Sequence, residues 1–151
     1  MIRILKTDII PGMLVLMWSY AAASKLLDYE TSRSQMLNQV FSHRIANTLV
    51  WAVPATELIL AGCLFLWQRL ALYASFILLS LFTLYIGVVM TGIFGRIPCS
   101  CGGILEQMSW GQHLVFNLFF IAITILGLNL NDRDKGSQEG VLIKPPAVRR
   151  V

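Results

Sequence analysis

The chain has 151 residues, of which 56% are hydrophobic and only 13% charged, and a formal net charge of +4. With a mean hydropathy of +0.68, it falls outside the range of ordinary soluble domains and points to a membrane protein. Apolar runs take up so much of the chain that the loops and tail leave no room for a separate soluble domain.

The first apolar run extends from about Ile9 to Leu27. Its start, "MIRILKTDIIPGMLVLMWSYAAAS", has the basic beginning, apolar middle and Ala-x-Ala tripeptide of a cleavable signal peptide. Against cleavage, Pro11 and Gly12 open a run of ordinary transmembrane length, and Trp18 and Tyr20 are bulky for a signal sequence. A retained helix is expected. The small residues from Ala21 to Ser24 mark close helix packing, and Lys25 follows them.

The second run, from about Ala46 to Trp67, contains "WAVPATELIL". Glu57 there lies near mid-depth, where a charge costs about 2.5–3.5 kcal/mol even on a mild insertion scale. It must be neutral, paired or turned to a polar bundle interior. Pro54 cannot donate to the Val50 carbonyl and should open space beside Glu57. By depth, Lys25 is the nearest cationic partner and Asn117 an uncharged one. A structural interhelix bond and a proton or quinone role both fit. Cys63, about 25 Å of helical rise from Ala46, reads as a small buried hydrophobe.

A third run spans about Leu70 to Phe94, and "IPCSCGGIL" follows at residues 97–105. The fourth run, from about Gln112 to Leu130, is preceded by Ser109-Trp110-Gly111-Gln112, a capping box that marks a helix start. Each run can cross a hydrocarbon core about 30 Å thick, and each is too long for a barrel strand. The expected fold is therefore all-α, an integral membrane four-helix bundle. Residues 1–130 form the membrane domain, and 131–151 read as a tail that lacks order without a partner.

Four spans put both termini on one side. That side holds Arg3, Lys6, Arg69, Arg133, Lys135, Lys144, Arg149 and Arg150, against Lys25, Arg33, Arg44 and Arg96 on the other. The positive-inside rule then places both termini in the cytoplasm and Cys99 and Cys101 outside. The basic tail reads as a segment near anionic lipid, with no nucleic-acid role.

Outside the cytoplasm, disulfides form and persist. Two extended backbone steps span about 7 Å, so a Cys99–Cys101 disulfide requires a bend at Ser100, which Pro98, Gly102 and Gly103 permit. So small a ring should be strained and oxidising. The helix start at Ser109 favours a thiolate nearby, and Arg96 or His113 would add to the effect. Two other readings stand beside this one. The segment is a tight turn, with His113 and Trp110 as interfacial anchors, or Cys99, Cys101 and His113 hold a metal; that set lacks a fourth ligand, and no metal is expected.

Taken together, "AAASKLLDYETS", "WAVPATELILAGCLFL", "FTLYIGV" and above all "PCSCGGILEQMSWGQHLVFNLFF" resemble the MauE family, small membrane proteins related to the DoxX-like four-helix group. The resemblance covers nearly everything but the tail. It implies a bacterial inner-membrane bundle associated with redox chemistry, in a family whose founding role is methylamine utilisation and disulfide formation in methylamine dehydrogenase. Carried onto this chain, it implies Cys99 and Cys101 as catalytic positions. Lys25, Glu57, Gly102, Gly103, Trp110, His113 and Asn117 are the supporting candidates. The function expected is thiol–disulfide exchange with a periplasmic thioredoxin-like partner or a maturing periplasmic protein, with quinone as the candidate cofactor. The alternative is a non-catalytic scaffold or accessory subunit of a partner complex.

Overall fold

The computed structural model describes residues 8–95 and 109–142, with side chains described as far as Asp132. The described residues form five helices and no strand. These are α1 (Ile10–Leu27), α2 (Tyr29–Leu37), α3 (His43–Leu66), α4 (Gln68–Met90) and α5 (Trp110–Leu142). All but α2 contain a segment long and apolar enough to cross a membrane, and in α5 that segment is Trp110–Asp132.

Several helix ends have a local cause. Pro11 sits in the first turn of α1, where a missing N–H costs nothing. The α5 start is the expected capping box: the Gln112 N–H donates to Ser109 Oγ at 3.3 Å and the Ser109 N–H donates to Gln112 Oε1 at 2.8 Å. The third span stops at Met90, short of Phe94, because Gly92 turns to a φ of 71° and its N–H donates to the Val89 carbonyl. At the other end of the bundle, Trp67 alone separates α3 from α4. Past Asp132 the chain enters the polar sequence of the expected tail, and α5 continues through it as helix to Leu142.

In the bundle, α1 packs chiefly on α3 and α4 on α5, while the α3–α4 hairpin joins the two pairs. Ile10, Leu14, Trp18, Leu72 and Leu79 form the centre of the core, each at most 2% exposed. Gly127 permits a close approach. A Cβ there would lie 2.9 Å from Ile10 Cγ2 and 3.4 Å from Leu72 Cδ2, so α5 meets α1 and α4 through its backbone. Trp18 Nε1 donates to Ser75 Oγ at 3.0 Å in the same core, which satisfies its buried indole N–H.

The core is apolar as in a soluble bundle, but the outer surface is apolar as well. Leu16, Leu27, Ile59, Phe65 and Ile93 are exposed, whereas Gln39, Glu57, Ser75, Asn117 and Thr124 are buried. Hydroxyls within the spans return to their own helices: Thr56, Ser80, Thr83 and Thr124 each donate at 2.7 Å to the carbonyl four residues back. An outer surface of hydrocarbon, with the few polar side chains turned inward, is what a bilayer selects. The protein is a multi-pass membrane protein.

Candidate functional site

The last turn of α1 carries Lys25, whose long stem reaches across to α3. Its Nζ donates to Glu57 Oε1 at 2.9 Å, to Glu57 Oε2 at 3.2 Å, and to the Ala21 carbonyl at 2.9 Å. The ammonium thereby uses all three protons within the protein. Both partners are withdrawn from the surface, the Lys25 side chain at 16% exposure and that of Glu57 at 2%. Glu57 is thus paired, and its expected partner is the observed one.

Pro54 lies on α3 one turn before Glu57, and it is buried within a helix that runs on through it. Next to the ion pair is a cavity of about 280 Å³. This is near the lower edge of the ~300–1,000 Å³ common among small-molecule sites. Glu57 and Val53 form part of its α3 wall, and Trp18, Ala21 and Lys25 part of its α1 wall. From α5 come Trp110, His113, Phe116 and Asn117, which recur at helical spacing on the inward face.

Asn117 is 5% exposed, and its amide makes no hydrogen bond among the described residues. One turn earlier, His113 presents its ring to the same space. The geometry therefore joins Lys25, Glu57, Trp110, His113 and Asn117, which lie on three helices, into one site. Cys99, Cys101, Gly102 and Gly103 lie outside the described residues. So do two of the three ligands in the metal set considered with His113, and among the described residues no three His, Cys, Asp or Glu side chains converge. Cys63 is half-buried against the core.

Sequence reasoning missed the roof of this site. The linker from α2 to α3 folds inward and lines the cavity with Gln39 and Phe41. Tyr85 of α4 donates its hydroxyl to Gln39 Oε1 at 2.6 Å, and its ring stacks on Phe41 with centroids 5.2 Å apart and planes 20° from parallel. The available signal was a phenol in the middle of "FTLYIGV". Buried in a membrane helix, it needs a partner for its O–H.

Comparison with family models matches residues 4–130 to the family described as methylamine utilisation protein MauE. No curated protein and no solved structure matches the chain.

Proposed function

The chain belongs to the MauE family, and from that premise we propose that it exchanges thiol and disulfide equivalents across the outer face of a bacterial inner membrane through Cys99 and Cys101. Both termini are then cytoplasmic and the CSC loop periplasmic, as the eight-to-four division of Lys and Arg suggests. Residues 1–130 act as the membrane unit and 131–151 as a cytoplasmic tail. The partner is a thioredoxin-like protein or a client enzyme during its maturation, and the family's description makes methylamine utilisation one setting for this.

The observation that carries the reading is the location of the polar site. Ile86 near the end of α4 and Trp110 at the start of α5 both line the cavity. The segment bearing the two cysteines joins those two helix ends. A capped helix N-terminus so close in sequence favours the thiolate form of a neighbouring cysteine.

In the exchange, a thiolate of the reduced partner attacks one sulfur of the Cys99–Cys101 disulfide and releases the other cysteine as thiolate. The partner's second thiolate then attacks the mixed disulfide. The partner leaves oxidised and the pair is reduced by two electrons; the reverse sequence reduces the partner.

Single Cys99→Ser and Cys101→Ser variants cannot form the internal disulfide, so the remaining thiolate attacks an oxidised partner and has no second cysteine to resolve the product. One of them is expected to accumulate a mixed disulfide that reductant releases and mass spectrometry identifies as a periplasmic thiol protein. If a Cys99→Ser, Cys101→Ser double variant supports full function in cells, exchange is not the function and a scaffold role replaces it.

A further inference from the structure

The cavity between α1, α3, α4 and α5 has features that select a ligand on their own. Its walls are mostly aliphatic and aromatic, and Trp18, Phe82, Tyr85, Trp110 and Phe116 supply flat surfaces to it. Its volume of about 280 Å³ admits one ring system. Among the described residues, the one Lys or Arg facing it is Lys25, which is neutralised by Glu57 at 2.9 Å and has its remaining proton on the Ala21 carbonyl. An anionic headgroup would find no free charge there, so the occupant is neutral.

Hydrogen-bonding capacity remains on α5. Asn117 lines the cavity at 5% exposure, and no hydrogen bond joins its amide to another described residue. An amide on the wall of a mostly apolar cavity gains from a ligand that can bond it. His113 lies one turn away on the same wall. A primary amide and an imidazole can each serve a ligand oxygen, and the Glu57 carboxylate can accept further. Such a set suits a ligand whose oxygens accept in one redox state and donate in the other. Neutral, flat, lipid-soluble and carrying such oxygens, a quinone matches every one of these conditions.

We propose that this cavity is a quinone site, with the ring between the aromatic walls and a ring oxygen hydrogen-bonded by Asn117 and His113. The inference deepens the thiol–disulfide reading and rests on it for the source of electrons. A quinone takes up the two electrons and two protons that Cys99 and Cys101 release on forming their disulfide, and becomes the quinol. Binding itself requires neither cysteine.

The test is titration of the purified full-length protein in nanodiscs with decylubiquinone, read by quenching of Trp18 and Trp110 in a Trp51→Phe, Trp67→Phe background. Saturable quenching is expected, with affinity lowered about tenfold by Asn117→Leu and by His113→Phe, as loss of one buried hydrogen bond predicts. Phe119→Leu, on the exposed side of α5, should retain it. Unsaturable quenching that ignores Asn117→Leu would show partitioning into lipid and overturn the site. Equal competition by diacylglycerol would overturn the quinone assignment in favour of a hydroxyl-bearing lipid. Should Asn117→Leu fail to fold, the same competition on the parent protein decides the question. Repeating the titration with Cys99→Ser, Cys101→Ser separates the two proposals, since quinone binding should persist there while thiol exchange is lost.

Discussion

Glu57 is buried in a membrane-spanning helix, and Lys25 is the reason it is tolerated. Each charge compensates the other, so removal of one leaves its partner buried and uncompensated. Lys25→Met or Glu57→Leu alone should destabilise the bundle by about 3–5 kcal/mol, whereas the double substitution should recover most of the loss. Thermal unfolding of the four proteins in detergent, followed by tryptophan fluorescence, measures this directly. Additive losses in the double variant would mean that the two side chains act independently. This pairing was legible in the sequence, because a buried carboxylate requires a counterion at its own depth and the chain offers few. The Gln39–Tyr85 bond was not legible. Gln39 occurs in a polar stretch that reads as surface, and only the inward fold of the linker buries it to 2% exposure.

Among the described glycines, Gly127 is the one whose added Cβ would meet neighbours within 4 Å, on α1 and α4. Ile10 Cγ2 is a branched methyl in a core position 2% exposed, so it has little room to yield. Gly127→Val should therefore cost about 1–3 kcal/mol by overpacking. Gly62→Val on α3, where an added Cβ meets nothing within 4 Å, should cost far less. Thermal stability of the two variants in the same detergent makes the comparison, and equal losses would place the effect in helix propensity instead of packing. The four spans could be read from sequence because lipid demands long apolar runs. The Ser109–Gln112 cap could be read because its residues bond one another locally. The short helix α2 could not: "YETSRSQML" buries none of its residues and has no apolar stripe to betray it.

Across the whole molecule, the bundle separates two ends of different character. At one, Arg69 of α4 bonds Asp132 of α5 at 2.7 Å, close to the α3–α4 link. At the other, the ion pair, the Gln39–Tyr85 bond and the first turns of α5 surround the cavity. Helices α4 and α5 reach that end with the CSC segment between them, and the reading of the protein as a thiol exchanger depends on that segment facing the oxidising side. Labelling with a membrane-impermeant maleimide tests this most directly, in intact spheroplasts of a Cys63→Ala variant, so that only Cys99 and Cys101 report. The account predicts labelling from outside that appears only after prior reduction. Equal labelling without reductant, or labelling only after the membrane is permeabilised, would contradict it.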